Sequence, residues 1–346
     1  MKGFLKRGIA LISGAILGTC TLSGCGSADG SAFTGKRIIR ISHAQSEDHA
    51  EHIAVEAFEK YVEERLGDKY DIQIFPNALL GDIQKSIELT QTGAIDFCVA
   101  STANLETFSD IYEIYSMPYL FNSEEAYHAA MNDRDYMVNV YKSTAPAGFE
   151  VLTWYDAGTR NIYCDTPIYS PEDLTGKKIR VQQSPASIAM CKALGAAASP
   201  LSFGEVYTAI QQGVIDGAEN NELALTNNKH GEVIKYYTYD KHQMIPDMLV
   251  ANIKFLNSLP EDERKVFEEA ALYSTEVEVE EWDRQVEEAK QIAQNEMGVE
   301  FITPDIELFK EAILPLQQSM LEKNPAINDL YDHIMGINKQ YKEVDG

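Results

Sequence analysis

Two spacings of apolar residues alternate along the chain after residue 36. Residues 37–43 alternate between apolar and polar and predict a strand. Apolar residues at 48–66 recur three and four positions apart, which predicts a helix with one buried face. Strands predicted at 71–75 and 95–100 flank a short helix at 83–92. This order predicts an α/β lobe with a mostly parallel sheet and right-handed crossovers.

The same order recurs later in the chain. It predicts strands and helices at residues 178–182, 186–194, 203–212 and 214–218. The sequence Thr-Gly-Ala-Ile-Asp at 92–96 is echoed by Gln-Gly-Val-Ile-Asp at 212–216, which we interpret as two similar lobes rather than a tandem repeat. Apolar residues at 248–254 predict a strand that returns to the first lobe.

A long amphipathic segment, residues 259–297, predicts one continuous helix. Ser258 and Glu261 form a candidate capping box at its start. The expected buried face consists of Val266, Ala270, Val277, Trp282, Val286, Ala289, Ile292 and Ala293. A helix of this length spans roughly 55 Å, which is enough to lie across both lobes.

The N-terminus has the pattern of a lipoprotein signal peptide. Lys2, Lys6 and Arg7 precede an apolar run at 8–22 that is too short to span a bilayer. Leu-Ser-Gly-Cys, ending at Cys25, resembles a bacterial lipobox, in which the cysteine thiol accepts the lipid. The alternative is an ordinary secretory signal, with this cysteine incidental.

These patterns predict the organisation of the whole chain. The predicted segments are a signal peptide at 1–24, a lipidated tether at 25–36, a first α/β lobe at 37–157 with the returning segment 248–285, and a second α/β lobe at 158–247 with part of 286–346.

The chain is strongly acidic, with 29 basic and 54 acidic residues and a net charge of −25. Residues 1–24 carry three of the basic residues and no acids, so the mature charge is 26 minus 54, or −28. Such a chain is not expected to bind nucleic acid, although local cations can still capture a small anion. Cys98, Cys164 and Cys191 are an odd set without close spacing, and we expect three buried free thiols.

Motifs for catalysis, cofactors or metals are weak. The glycine-rich stretch 30–36 precedes a strand, and Arg37 stands where a phosphate loop needs Ser or Thr. His43, His49 and His52 cluster in sequence, but among acidic residues a solvated helix face is the simpler interpretation than a metal site. We therefore expect no catalytic residue, no cofactor and no metal.

Only a few arginines lie away from helix faces, and two of them are informative. Arg160 lies at an apparent boundary between the lobes, and Arg180 lies inside a strand between Ile179 and Val181. A guanidinium in a strand interior needs an anion to satisfy it. One interpretation is a salt bridge to a protein carboxylate, and the other is a planar fork that grips a ligand carboxylate.

At these residues the chain resembles a known family, the DctP-type solute-binding proteins of tripartite ATP-independent periplasmic (TRAP) transporters. The resemblance covers nearly all of the mature chain. It rests on Asp-Leu-Thr-Gly-Lys-Lys-Ile-Arg-Val-Gln at 173–182, Leu-Gly-Ala at 194–196, the stretch 203–220, Asn-Ala-Leu-Leu-Gly at 77–81 and Leu-Thr-Gln-Thr-Gly-Ala-Ile-Asp at 89–96.

The resemblance implies a periplasmic-binding-protein-like (Venus flytrap) fold, in which two α/β lobes joined by a spanning helix close over a ligand. It further implies that Arg180 grips the ligand carboxylate, that Asn220 and Arg160 contact the ligand, and that Phe203 packs on it. Residues 81–84 depart from the family pattern, so the first-lobe contacts remain open.

The resemblance also implies a function without chemistry. The chain would be an extracytoplasmic monomer, anchored to the membrane by lipid, that delivers a small organic acid to the TRAP membrane permease subunits. Two other classes stay open, a secreted sugar-acid enzyme and a ligand sensor for a receptor.

The predicted ligand is a hexuronate or related sugar acid, with a C4-dicarboxylate as the alternative. Amides and one carboxylate near the presumed cleft suit hydroxyl groups. The predicted ligand contacts are Arg180, Arg160, Asn220, Phe203, Gln182, Gln45, Glu222 and His43.

Overall fold

The computed structural model of the protein describes residues 35–341, so Cys25 and the predicted signal peptide lie outside the described part. The strands are β1 (Arg37–Ser42), β2 (Tyr70–Phe75), β3 (Phe97–Ser101), β4 (Phe149–Tyr155), β5 (Thr159–Cys164), β6 (Lys178–Val181), β7 (Ala197–Pro200), β8 (Gly217–Asn220), β9 (Tyr236–Met244), β10 (Asp247–Asn252) and β11 (Glu300–Ile302). The α-helices are α1 (Ala50–Leu66), α2 (Ile83–Thr92), α3 (Thr102–Leu105), α4 (Glu124–Met131), α5 (Arg134–Lys142), α6 (Pro185–Ala193), α7 (Val206–Gln211), α8 (Leu223–Thr226), α9 (Ile253–Ser258), α10 (Glu261–Asn295), α11 (Ile306–Lys323) and α12 (Asn328–Asn338).

The first lobe is built on a five-stranded sheet with the order β2-β1-β3-β10-β4. Strand β1 pairs in parallel with β2 and β3, whereas β10 is antiparallel to both β3 and β4. The prediction of a returning strand is confirmed by β10. The prediction of a mostly parallel sheet is confirmed, because β2, β1, β3 and β4 run in one direction. In this sheet only β10, which enters from the other lobe, runs against its neighbours.

The second lobe is built on a six-stranded sheet with the order β11-β9-β5-β8-β6-β7. Strand β6 is parallel to β7 and β8, and β5 is antiparallel to β8 and β9. The run β7-β6-β8-β5 therefore repeats the run β2-β1-β3-β10 of the first lobe. In each sheet the strand next to these three parallel strands, β10 or β5, is antiparallel to its neighbours. The chain reaches this strand directly from the other lobe.

The echoed Gly-x-Ile-Asp sequences occupy the same place in the two lobes. The Asp96 carboxylate accepts the backbone N–H of Arg40 at 3.0 Å, and the Asp216 carboxylate accepts that of Lys178 at 2.7 Å. Each aspartate thus ties the loop after a helix to the middle strand of the parallel trio in its lobe, β1 or β6. The two lobes share this hydrogen bond, which agrees with the interpretation of two similar lobes.

Two short connections carry the chain between the sheets, after Tyr155 and after Met244. Gly158, in the first connection, has a φ of +60°, and a Cβ atom there would lie 2.8 Å from the Trp282 ring. The side chain of Asp156 accepts the N–H of this glycine at 2.7 Å. Glycine is required here because a larger residue would be strained and would collide with the indole.

Helix α10 is 35 residues long, or about 52 Å at 1.5 Å per residue. Its first half packs into the first-lobe core through Phe267 and Ala270, and Ala293 near its end packs into the second-lobe core. The predicted capping box is wrong. Pro260 caps the helix, while the Ser258 hydroxyl donates to the Phe255 carbonyl and closes α9.

Alternation along the strands places apolar side chains on both faces of each sheet. In β3, Phe97 and Val99 face α1 and α10, and Cys98 and Ala100 face the opposite core. In β6, Ile179 and Val181 face α6 and α11. Both faces of each sheet are therefore covered by helices, which is typical of α/β proteins.

Cys98, Cys164 and Cys191 are buried free thiols, as predicted. None of the helices in the 35–341 range combines the length and apolar character that crossing a membrane requires.

Candidate ligand-binding site

The site lies between the lobes, where strand ends from both sheets converge. The surrounding cavity has an empty volume of about 660 Å³, which includes its opening to solvent. The residues around it are Ala44, Gln45, Ala78, Asp82, Ile83, Ser101, Asn104, Ala157, Arg160, Arg180, Gln182, Gln183, Ser202, Phe203, Gly204, Asn220, Asn221 and Asp247.

Arg180 is 4% exposed and points to the face of β6 opposite Ile179 and Val181. Its Nε and Nη2 atoms donate to the Leu201 carbonyl at 3.0 and 2.8 Å. Across residues 35–341, no carboxylate oxygen lies within 4.0 Å of this guanidinium. Burial lowers the pKa of Arg180 to about 10, so the group stays charged at neutral pH and retains N–H groups for an external anion.

Arg160 is equally buried but has its own anion. Its Nε donates to Glu219 at 2.6 Å, Nη1 donates to the Asn220 side chain at 2.9 Å, and Nη2 donates to the Glu219 carbonyl at 3.0 Å. The two interpretations of a strand arginine therefore separate. Arg160 is the salt-bridged residue, and Arg180 is the one that has no carboxylate partner among residues 35–341.

A chain of charges continues behind Arg160. Glu219 lies 3.5 Å from Nε2 of His242, whose Nδ1 lies 2.7 Å from Asp240. Burial alone would lower the pKa of His242, but the two carboxylates raise it to about 9. Burial would raise the pKa of Glu219, but Arg160 and His242 lower it to about 2. Two cations and two anions thus balance inside the second lobe.

Phe203 lies beside Arg180, with the guanidinium carbon 5.7 Å from the ring centroid. The predicted helix at 203–212 begins instead with a 3-10 turn, Phe203–Glu205, because Ser202 and Glu205 form a capping box there. This turn holds the aromatic ring at the edge of the cavity. An apolar ring beside a guanidinium suits one face of a sugar ring.

Gln45 and Gln182 add amide groups from opposite lobes. Nε2 of Gln182 donates to the Ser101 hydroxyl at 2.9 Å, which links the second lobe to the first. The amide oxygens of both glutamines are buried and have no hydrogen-bond partner within residues 35–341. Buried acceptors are usually paired, so these two oxygens are available for donors on a ligand.

The structure places Glu222 elsewhere. Its carboxylate accepts a hydrogen bond from Tyr239 and is attracted by Lys290, and these residues line a second cavity next to α10. The chain turns away from the cleft into α8 directly after Asn221, which carries Glu222 out of reach. We therefore remove Glu222 from the candidate ligand contacts.

His43 lies behind the cavity wall rather than in it. Its Nε2 lies 2.9 Å from Nδ1 of His52, and its Nδ1 lies 3.5 Å from Glu51. Burial lowers the pKa of His43 to about 3, so it is neutral. His49 caps α1 by accepting the N–H of Glu51. The expectation of a solvated helix face is wrong, because these histidines are buried between α1 and its neighbours.

One carboxylate of the cavity was missed by the sequence analysis. Asp247 begins β10, opposite Ser101 of β3, and its side chain is hydrogen-bonded to Ser101 and Glu51. The available signal was its place directly after Pro246, at the point where the chain returns to the first lobe. Glu219, the partner of Arg160, was also missed.

A charged guanidinium that finds no carboxylate partner in the described part of the chain, an aromatic ring and amide acceptors between two lobes define an anion-binding cleft. The fold and the cleft are those of a solute-binding protein. Residues 41–324 match the family described as bacterial extracellular solute-binding protein, family 7, or DctP. The chain belongs to this family, so the predicted family and the predicted two-lobed fold are confirmed.

Three relatives illustrate the similarity. A TRAP periplasmic solute-binding protein from Anaerococcus prevotii, solved with bound α/β-D-glucuronate, is 54% identical, with a TM-score of 0.87 over 88% of this chain and 99% of that one. The uncharacterized protein YiiZ of Salmonella typhimurium is 40% identical over 87% of this chain and 91% of its own. The C4-dicarboxylate-binding periplasmic protein DctP of Rhodobacter capsulatus is 28% identical over 90% and 94%.

Proposed function

We propose that this solute-binding protein captures a hexuronate outside the cytoplasm and delivers it to a TRAP membrane permease. Arg180 grips the ligand carboxylate with the N–H groups that its bonds to Leu201 leave over. Phe203 packs on the sugar ring, and the oxygens of Gln45 and Gln182 accept ring hydroxyls. No bond of the ligand is made or broken.

The observation that carries this proposal is the environment of Arg180. A guanidinium that is 4% exposed and lacks a carboxylate within the described residues is costly unless an anion binds it. The fork geometry matches one carboxylate with two parallel hydrogen bonds. The 54% identical relative with bound glucuronate supports a uronate as that anion.

Arg160 is the reason to keep a dicarboxylate as the competing ligand, because it also lines the cavity. Its guanidinium, however, already faces Glu219, so a second ligand carboxylate finds less uncompensated charge there. We infer that the cavity takes one carboxylate and several hydroxyls.

Isothermal titration calorimetry of the full-length protein in mild detergent tests the ligand. D-Glucuronate and D-galacturonate should bind at least about tenfold more tightly than succinate or malate, a difference of about 1.4 kcal/mol. Tight succinate binding without uronate binding would contradict the proposal. Recovery of unchanged uronate after denaturation separates binding from catalysis.

We also propose that Cys25 carries the lipid that holds the protein at the outer face of the membrane, and that the protein is a monomer. The lipobox-like sequence after an apolar run supports the anchor. Mass spectrometry of the membrane fraction should find an acylated N-terminal Cys25. A soluble product with an unmodified Cys25 would contradict it.

A further inference from the structure

We propose that Asp247 is the residue that selects a hydroxylated monocarboxylate over a dicarboxylate, by accepting hydrogen bonds from ligand hydroxyls in the first lobe. This inference rests on the proposed function and names the specificity residue of the same cavity. It assigns to Asp247 the role that the sequence had suggested for Glu222.

The position of Asp247 is set by the sheet. It is the first residue of β10 and pairs with Ser101 at the end of β3 and with Tyr155 at the end of β4. Its carboxylate neighbours the Ser101 hydroxyl and the Glu51 carboxyl, both of which act on its pKa. The strands paired on both sides fix the place of the residue at the cavity wall.

The charge of the pair resides on Asp247. Burial raises the pKa of Glu51 well above its ordinary value, and the neighbouring Asp247 carboxylate raises it further. Burial also raises the pKa of Asp247, but Arg160 and the bonds from Glu51 and Ser101 oppose that rise. Glu51 therefore keeps the proton and donates it toward Asp247, which faces the cavity as an anion.

Of the residues around the cavity, Asp82 is the other carboxylate, and it lies in the turn before α2, where its Oδ1 accepts the N–H of Lys85 at 2.8 Å as the N-cap. Asp247 instead lies in a strand that is paired on both sides, which fixes its backbone more firmly. A carboxylate offers about four lone-pair sites, so Asp247 has acceptor capacity left for a ligand. Its fixed place at the cavity wall makes it the better ordered anionic acceptor for hydroxyl donors.

The two ends of the cavity then differ in charge. Arg180, in the second lobe, attracts the ligand carboxylate. Asp247, in the first lobe, contacts the groups at the opposite end of the ligand. Hydroxyls donate to Asp247, whereas a second carboxylate would face a like charge in a site shielded from water. The ratio of uronate affinity to dicarboxylate affinity is the quantity that this residue controls.

The test compares D-glucuronate and succinate affinities of the full-length wild type and Asp247→Asn by calorimetry. Asparagine preserves the shape but removes the charge. Glucuronate affinity should fall about tenfold, succinate affinity should rise, and the ratio should fall at least about thirtyfold. Glu222→Gln, a carboxylate change in the second cavity, is the matched control and should leave the ratio unchanged.

A second variant keeps the test decisive if Asp247→Asn folds poorly. Asp247→Glu retains the charge but displaces the oxygens, so it should weaken glucuronate while still excluding succinate. An unchanged ratio in Asp247→Asn, with wild type binding glucuronate, would overturn this inference alone. If the wild type binds no uronate, the proposed function fails, and the wild-type titration therefore distinguishes the two failures.

Discussion

The two lobes present the same strand arrangement to the cavity but opposite charges. In the second lobe, Arg160 and Arg180 bring two buried cations to the strand ends. In the first lobe, the equivalent place holds Asp247, the protonated Glu51 and the neutral His43. The scaffolding bonds of Asp96 and Asp216 are alike in the two lobes. A repeated framework thus carries different side chains on its two halves.

The difference shows how a symmetric cleft binds an asymmetric ligand. The second lobe compensates its internal charges through Glu219, His242 and Asp240, and leaves Arg180 for the ligand. Beside Asp247, the first lobe holds a proton on Glu51 and keeps His43 unprotonated, so Asp247 carries the charge of this group. A molecule with a carboxylate at one end and hydroxyls at the other matches this polarity in one orientation only.

The largest expected effect is on the free energy of unfolding, and it is found by changing one buried glutamate to glutamine in each lobe. Glu219→Gln removes the anion from between Arg160 and His242 and should lower the free energy of unfolding by roughly 3–5 kcal/mol, because it leaves buried cations uncompensated. Glu51→Gln should cost about 1 kcal/mol or less, because the neutral amide can still donate to Asp247. Chemical denaturation measures both, and equal losses would contradict the contrast between the lobes.

The second effect concerns the ligand rather than the fold. Arg180→Ala should weaken uronate binding by about 3 kcal/mol, more than a hundredfold, with the protein still folded. Arg180→Lys should also bind weakly, because one ammonium cannot reproduce the fork. The control is Arg264→Ala, which removes a surface guanidinium paired with Glu150 and Glu268. Binding within a few-fold of wild type in Arg180→Ala would make this arginine structural.

The bounds of helices and strands near the site could be predicted where neighbouring residues in the sequence determine them. Helix α2 matches its predicted bounds because apolar spacing and a following glycine, with φ +80°, set both ends. The predicted N-cap of α10 was wrong because the Ser258 hydroxyl bonds within α9. Pro260 therefore takes the N-cap position of α10. The parallel direction of most strands followed from the alternation of strands and helices. The reversed directions of β10 and β5 depend on contacts between distant segments, so periodicity alone could not predict them.

Most of the predicted contacts line the cavity, whereas Asp247 and Glu219 were not predicted. Arg180, Phe203 and Asn220 lie in the stretches that resemble the family and reach the cavity. Asp247 lies in β10, which returns to the first lobe only after the strands β5 to β9 of the second lobe. No local sequence pattern indicates that it pairs with β3. Glu222 was misplaced because side-chain direction beyond the end of β8 depends on the turn into α8.

The third effect is a difference in pH dependence between His242 and His43. His242 has a folded pKa of about 9, above its unfolded value of about 6.5, so its contribution is full below pH 6.5 and is lost as pH rises to 9. The loss should be on the order of 2–3 kcal/mol. For His43, with a folded pKa of about 3, stability falls as pH drops below 6.5.

Denaturant unfolding from pH 4 to pH 10 separates these two histidines. His242→Gln should flatten the alkaline decline between pH 6.5 and 9, and His43→Gln should flatten part of the acid decline. His128 contributes to the same alkaline window, because Asp156 raises its pKa against the effect of burial, so a residual slope should remain. An unaltered alkaline decline in His242→Gln would show that the buried network does not hold its proton.

The smallest effect concerns the bond that joins the two lobes across the cleft. Gln182→Met removes the donor to Ser101 and an unpartnered acceptor while preserving length, and should weaken uronate binding about fivefold, or about 1 kcal/mol. Because the lost bond stabilises the closed arrangement, the ligand dissociation rate should rise, and ligand should reduce the radius of gyration less than in wild type. The matched control, Gln183→Met, changes an exposed neighbour in the same cavity and should leave both quantities unchanged. Equal effects of the two variants would mean that the cavity, and not the bond between the lobes, holds the ligand.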